Sequence, residues 1–146
     1  MSRAKRPPPT MVQRTAAAQA TFDRFHGQPF AWGQADCARM VAFHLRKLGL
    51  KPRLAPAGSY RTALSARRAL TRAGHDSLAA ALDALGLERI APAAALVGDV
   101  LALPGEDALG ALVVALGNGR VLGWHPDAAG AEVLQPLAFD AAWRVL

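Results

Sequence analysis

The chain has 146 residues, a formal net charge of +6 and one cysteine, which is enough sequence for a single domain with a core. One cysteine excludes an internal disulfide framework and a cysteine-rich zinc site. No apolar run reaches the length of a membrane span, and the chain opens without the apolar segment of a secretory signal. These features fit synthesis in a reducing cytoplasm, and we expect neither a metal nor a cofactor.

The charge is distributed unevenly along the chain. Residues 1–72 carry 14 Lys and Arg against two acids, whereas residues 73–146 carry three Arg against nine acids. A basic half can bind nucleic acid, an anionic wall polymer or an acidic protein neighbour, or it can form only a solvated surface. Its arginines are scattered, without interleaved aromatic residues or a nucleic-acid motif, so specific nucleic-acid recognition is not expected.

The first ten residues differ in composition from the rest. Three cations precede three prolines at positions 7–9, a pattern that cannot form a helix and favours an extended arm. We predict an arm over residues 1–10 that contacts a neighbouring subunit, followed by one domain over residues 11–146.

Helical periodicity dominates the first half of this domain. Apolar residues recur at helical spacing and each run is followed by a glycine. Three of the runs are preceded by residues that can cap a helix, Asp36, Ser59 and Ser77. The predicted helices span 12–25, 37–48, 60–73 and 78–85.

After residue 90 the pattern changes to short apolar runs typical of strands. The Gly-Asn-Gly sequence at 117–119 is a strong hairpin signal between two of them. Strands are predicted over 99–103, 111–116, 120–124, 132–134 and 143–145. Helices followed by strands predict an α+β fold, with N-terminal helices packed on a C-terminal antiparallel sheet.

The only cysteine, Cys37, lies where a loop becomes a helix. Asp36, just before it, can accept hydrogen bonds from the N–H groups of the first turn. A thiol at this position feels the positive end of the helix dipole, which favours the thiolate, and the free N–H groups could hold an oxyanion. These features predict a nucleophile that is more acidic than a free cysteine. The alternative is that Cys37 is a small buried apolar residue.

The segment 29–41 contains the pattern Trp-Gly-x-x-Asp-Cys and resembles the nucleophile segment of the NlpC-type cell-wall cysteine peptidases, which are papain-like enzymes. Residues 97–101 resemble that family's Pro-Gly-Asp-Leu strand, and residues 116–121 resemble its Leu-Gly-Asn-Gly-Lys-Val hairpin. Within the family the chain is most similar to a small phage-encoded branch found among tail genes, whose Trp-Arg-Val ending matches residues 143–145. The resemblance implies a papain-like NlpC-type fold.

The resemblance also implies which residues form the site. It makes Cys37 the catalytic nucleophile, with Asp36 beside the oxyanion site. It assigns Phe30, Trp32 and Gly33 to substrate binding, although Phe30 lacks the hydroxyl of the tyrosine that the family has at this position.

The chain departs from the family at the general base. The position of the family's histidine is Ala111, or Ala108 in an alternative match, and the third polar residue falls at Gly123. His125 shares the face of Gly123 if the strand continues, so it is the candidate for a displaced base. The alternative for His125 is a turn residue. His44 shares the helix of Cys37 but lies about two turns away, out of reach.

Two functions are compatible with these features. The first is a tail-tip enzyme of a phage or phage-like particle that cuts peptides of the cell-wall peptidoglycan during genome delivery. The second is a catalytically degenerate structural tail protein that uses the fold only for assembly. Both place the protein in the virion tail after synthesis in the host bacterial cytoplasm, among other tail-tip or baseplate proteins, without a membrane span. A third hypothesis is a cytoplasmic binding module for an acidic ligand.

Overall fold

Helices and strands occupy separate halves of the chain. The computed structural model describes residues 7–52, 60–104 and 111–145, and in this part of the chain none of the helices is long and apolar enough to cross a membrane. The helices are α1 (Met11–Phe25), α2 (Cys37–Lys47), α3 (Ala63–Arg72) and α4 (Leu78–Ala84). The strands are β1 (Glu88–Ile90), β2 (Val100–Leu103), β3 (Ala111–Gly117), β4 (Arg120–Gly123), β5 (Glu132–Leu134) and β6 (Ala141–Arg144), with a short 3-10 helix at Pro92–Ala94.

The strands form one antiparallel sheet in the order β1-β6-β2-β3-β4-β5. Strands β2 to β5 follow one another as a meander, whereas β6 returns to lie between β1 and β2. Val100 therefore lies opposite Val114 on one side and Trp143 on the other. Helices followed by an antiparallel sheet confirm the predicted α+β fold.

Both faces of the sheet are apolar. The face that packs on the helices carries Val100, Ala102, Leu112, Val114, Leu122 and Trp143. The opposite face carries the residues that alternate with them, namely Leu101, Val113, Ala115, Val121 and Ala142. Helices α1 and α2 both contact β3, so the helix that begins at Cys37 is held against the strand expected to carry the base.

The sequence located most helices to within a few residues. The helix predicted over 12–25 is α1, and Asp36 and Ser77 cap α2 and α4 as expected. The third helix begins later than predicted, because Thr62 caps it. The cap proposed for it, Ser59, lies outside the described residues.

The predicted N-terminal arm is described only at its end, since residues 1–6 lie outside the described part. The Thr10 hydroxyl accepts from the Gln13 backbone N–H, and the Thr10 N–H donates to Gln13 Oε1. This reciprocal pair fixes the start of α1. The contact of the arm with a neighbouring subunit stays a prediction.

A buried ionic cluster joins α1 to the sheet. Asp99 has no exposed surface, and its carboxylate lies 2.8 Å from an Arg14 guanidinium nitrogen and 3.0 Å from Arg144 Nε. It also accepts from the backbone N–H groups of Leu96 at 2.9 Å and Val145 at 3.0 Å. Arg14 donates in turn to the Val145 carbonyl. The cluster therefore fixes α1, β2 and β6 relative to one another.

His44 is a second buried polar link, between α2 and the start of β2. The ring is fully buried, and Nε2 lies 2.8 Å from the Gly98 carbonyl oxygen. Because a carbonyl only accepts, Nε2 carries the proton, and Nδ1 faces the Thr21 hydroxyl at 3.0 Å. Burial lowers the pKa of His44, while the hydrogen bond to Gly98 opposes this change. His44 is thus a neutral structural residue.

Acidification below about pH 6.5 is expected to destabilise the fold through His44. In the unfolded chain the imidazole takes up a proton near its ordinary pKa of about 6.5, whereas the lowered pKa keeps it neutral in the fold. The unfolded state therefore binds more protons as the pH falls. The free energy of unfolding should decrease by up to about 1.4 kcal/mol per pH unit, from pH 6.5 down to the folded-state pKa. Urea unfolding at a series of pH values measures this slope.

Two variants assign the slope to this residue. His44→Gln cannot take up a proton and should lose the pH dependence, at the cost of a lower stability throughout. His125→Gln changes an exposed side chain and should retain the dependence. An unchanged slope in His44→Gln would contradict the assignment.

Candidate active site around Cys37

The loop before α2 is held by Asp36 and Gly33. The Asp36 carboxylate is 1% exposed and accepts from the backbone N–H groups of Gly33 and Arg39, each at 2.8 Å. Gly33 has a φ of +79°, and a Cβ there would lie 2.1 Å from the Tyr60 carbonyl oxygen, so only glycine fits. The Trp-Gly-x-x-Asp-Cys pattern therefore has a local structural role, because it sets the entry into α2 and orients Cys37.

Cys37 lies at a cavity of about 90 Å³. Its lining is mostly apolar and includes the aromatic residues Phe30, Trp32, Tyr60 and Trp124. Helix α3 contributes Ala66, Ala69 and Leu70, and strand β3 contributes Ala111 and Leu112. The structure thus brings Phe30, Trp32, Asp36 and Cys37 to one site, while their roles in binding and catalysis stay predictions.

Aromatic rings form the rim of the cavity. The Phe30 ring is 41% exposed and stands edge-on to two indoles, with centroids 4.7 Å from Trp32 and 5.6 Å from Trp124. The Trp124 indole N–H donates to the Gln28 carbonyl at 2.8 Å. These contacts tie the loop before α2 to the end of β4 and give the rim a defined shape.

Burial of the Cys37 thiol raises its pKa to about 11. The backbone N–H of Leu112 opposes the rise, and the Asp36 carboxylate adds to it, because a second negative charge nearby disfavours the thiolate. Burial therefore acts against the prediction that a helix start makes Cys37 more acidic, and it outweighs the effect of the helix N-terminus. At neutral pH the group is a thiol.

Ala111 lies at the cavity, where the resemblance places the family's histidine. A methyl group cannot accept a proton, and none of the lining residues in the described part of the chain is a histidine. The alternative position, Ala108, lies outside the described residues. Gly123, at the position of the third polar residue, has no room for a side chain, because its Cβ would lie 2.5 Å from Val113 Cγ1.

His125 does not line the cavity, although the residue before it, Trp124, does. It follows β4 with an exposed side chain, and its Nδ1 accepts from the backbone N–H of Asp127 at 3.1 Å. The structure therefore brings Asp36 and Cys37 together and leaves His125 in a turn. A role for His125 as a displaced base stays a prediction.

The arrangement is suited to binding an apolar group rather than to moving protons. Cys37 is protonated, both Asp36 oxygens accept from backbone N–H groups, and burial raises the pKa of Tyr60 above its ordinary value. Within residues 7–52, 60–104 and 111–145, no group of three or more His, Cys, Asp and Glu side chains is placed to hold a metal. The site therefore offers a ligand a defined shape and apolar contacts.

Sequence reasoning did not assign Tyr60, Trp124 or the inner face of α3 to the site. The helical spacing predicts that Ala63, Leu64, Ala66 and Leu70 face inward, without indicating which element they face. Ala66 and Leu70 do line the cavity, but the prediction is wrong for Ala63 and Leu64, which are exposed. Tyr60 is the only tyrosine of the chain, but this fact is only a weak indication that the residue belongs to a site. Only the fold shows that these three parts of the chain meet at Cys37.

The chain is similar in structure to NlpC2 from Trichomonas vaginalis, with a TM-score of 0.56 and 12% sequence identity. The similarity covers 98% of this chain and 49% of that one, so this chain spans about half the length of the protein it matches. At this identity the likeness shows the fold alone, and it confirms the predicted papain-like NlpC-type fold. No curated protein matches the sequence. The model of the family described as "Domain of unknown function (DUF6950)" matches residues 11–145, and the chain therefore belongs to this family.

Proposed function

We propose that this protein is a structural component of the tail tip of a phage or phage-like particle, and that it uses an NlpC-type fold for assembly rather than for peptide cleavage. The Trp-Gly-x-x-Asp-Cys pattern and the Trp-Arg-Val match at residues 143–145 support the assignment to a tail. The observation that supports the loss of catalysis is that Ala111, where the resemblance places the family's base, lies at the Cys37 cavity. The protein is made in the host cytoplasm, and its partners are other tail-tip or baseplate proteins.

The chemistry of the site supports this choice. A cysteine peptidase needs a base to form the thiolate and an acid to protonate the leaving amine. Cys37 has a raised pKa, and the described lining of its cavity holds no imidazole. Because general acid–base catalysis contributes roughly 10²–10⁴-fold, peptide cleavage is expected to be negligible.

The second candidate function is cleavage of peptidoglycan peptides during genome delivery. One observation favours it, which is the position of Cys37 at the start of α2, where backbone N–H groups of the first turn face the sulfur. In this case His125 would have to leave its turn and approach the thiol.

Purified peptidoglycan and assembled particles separate these functions. We expect no release of new amino termini from peptidoglycan by the intact protein. We also expect particles that carry Cys37→Ala to assemble normally, because the change removes only one sulfur atom, which already borders a cavity. Release of amino termini is measured with an amine-reactive dye, and assembly by counting infectious particles.

The matched variant for this test is His125→Ala, which removes the exposed imidazole. Cleavage that is abolished by both Cys37→Ala and His125→Ala would overturn the assembly function and make His125 the base. A loss of particles with Cys37→Ala alone, without any cleavage, would show that the thiol itself contributes to assembly.

A further inference from the structure

The Cys37 cavity has the size and chemistry of a pocket for one large apolar side chain. Its volume is about 90 Å³, whereas one water needs ~10–15 Å³ by the same measure. Among the described residues of the lining, Asp36 is the only one with a charged side chain, and two backbone N–H groups already donate to its carboxylate. Because most of the lining is apolar, a polar or charged ligand would lose its hydration in this cavity and regain few hydrogen bonds.

The sequence segment that contains α2 and α3 is strongly cationic. Residues 37–75 contain nine Lys and Arg and no acid. Helix α3 lines the cavity with Ala69 and Leu70, and its exposed side carries arginines at positions 67, 68 and 72. Arg72 is three residues from Ala69, so the two are neighbours on the helix surface.

A further cation lies next to the cavity on the α2 side. The Arg39 guanidinium stands 5.5 Å from the centre of the Tyr60 ring, and Tyr60 lines the cavity. Arg39 on α2 and Arg72 on α3 therefore place positive charge beside the apolar pocket. We call the exposed arginines of α3 that neighbour cavity-lining residues on the helix surface, Arg67 and Arg72, the cationic flank.

We propose that the Cys37 cavity and the cationic flank together bind an acidic segment of a partner protein, which inserts one aromatic or branched apolar side chain into the cavity. This proposal rests on the assembly function proposed above and names the chemistry of the partner. The apolar cavity takes the anchor side chain, and the cationic flank attracts the acidic residues around it. An apolar anchor favours a protein segment over a nucleic acid, because the polar edges of a base would lose their hydration in a mostly apolar cavity.

Short synthetic peptides test the proposal with intact protein. The probe is a fluorescently labelled peptide in which one phenylalanine is flanked by aspartates and glutamates. We expect it to bind, to change the fluorescence of Trp32 and Trp124 at the cavity, and to bind more weakly as the salt concentration rises. The same peptide with serine in place of phenylalanine should bind roughly ten- to a hundred-fold more weakly. A peptide with lysines in place of the acids should not bind.

Matched variants of α3 distinguish the contribution of the Cys37 cavity from that of the cationic flank. Ala69→Leu fills the cavity and should weaken binding by about tenfold, whereas Ala63→Leu, at an exposed position of the same helix, should have no effect. Arg72→Glu should weaken binding about three- to tenfold and reduce its salt dependence. Arg120→Glu, on the exposed hairpin, should not. Far-UV circular dichroism and thermal melts establish that each variant is folded.

Several outcomes would overturn the proposal. The cavity would not be the binding site if the serine and phenylalanine peptides bound equally well, or if Ala69→Leu left the affinity unchanged. The partner would not be an acidic protein segment if single-stranded DNA bound more tightly than the acidic peptide. It would be a second copy of this chain if the protein self-associated and Arg72→Glu abolished the association. Absence of peptide binding would end this proposal and leave the assembly function standing, since particle formation tests that function separately. Cleavage of the peptide would instead overturn the assembly function itself.

Discussion

Asp99→Asn is expected to lower the free energy of unfolding by about 3–5 kcal/mol. The carboxylate has no exposed surface and lies 2.8 Å from Arg14 and 3.0 Å from Arg144. Two backbone N–H groups also donate to it. The amide of asparagine is neutral, and its NH2 group would face one of the donors that now point at the carboxylate. The buried Arg14 therefore loses the negative charge with which it pairs among the described residues.

Guanidinium chloride unfolding of both proteins gives the difference. Asp140→Asn makes the same chemical change at an exposed position between β5 and β6 and should change stability by less than about 0.5 kcal/mol. The double variant Arg14→Met with Asp99→Asn should recover part of the loss, because it removes the unpaired charge. A loss below about 1 kcal/mol in Asp99→Asn would show that the cluster does not hold α1 to the sheet.

Alkylation of Cys37 in the folded protein should be roughly a hundred-fold slower at neutral pH than alkylation of the unfolded chain. The reagent reacts with the thiolate, and the thiol pKa of about 11 lies two units above the ordinary value of 9.0. Each unit reduces the thiolate fraction about tenfold at a given neutral pH. Rates with iodoacetamide, measured against pH with and without urea, test this expectation.

A gain-of-function variant makes the alkylation test sharper. Ala111→His places an imidazole at the cavity, at the position of the family's base, and should accelerate alkylation near neutral pH. Ala73→His, at an exposed position after α3, should not. A folded wild-type protein whose rate levels off below about pH 8 would contradict the raised pKa and restore the acidic thiol predicted from helix position.

Sequence patterns predicted the helices, strands and turns that depend on residues close together in the chain. The cap of α2 at Asp36, the hairpin at 117–119 and the short strand at 132–134 are all found where periodicity and turn residues indicate them. Strand β1 was missed, because Glu88 and Arg89 are exposed at the edge of the sheet and show no apolar alternation. Its pairing with β6 is a contact distant in sequence, which no local pattern encodes.

The site was predicted less completely for the same reason. The Cys37 helix start and its dipole are local features, whereas burial of the thiol depends on Leu112 from β3 and on the inner face of α3. The pairing of Arg14 with Asp99 joins residues 85 positions apart. The sequence therefore indicated the fold and the loop that leads into Cys37, while the protonation of the thiol required the packed structure.

The position of β6 has a consequence for how the chain folds. This strand lies between β1 and β2, yet the ribosome makes it after all five of the other strands. Until it emerges, one edge of β2 is open, β1 has no strand to pair with, and Arg14 lacks the Val145 carbonyl to which it donates. When β6 pairs with β2, it closes a long loop of chain. This closure costs chain entropy before the contacts of β6 form, which slows folding. Helix α1, which ends at Phe25, is therefore made more than a hundred residues before the strand that completes the sheet on which it packs.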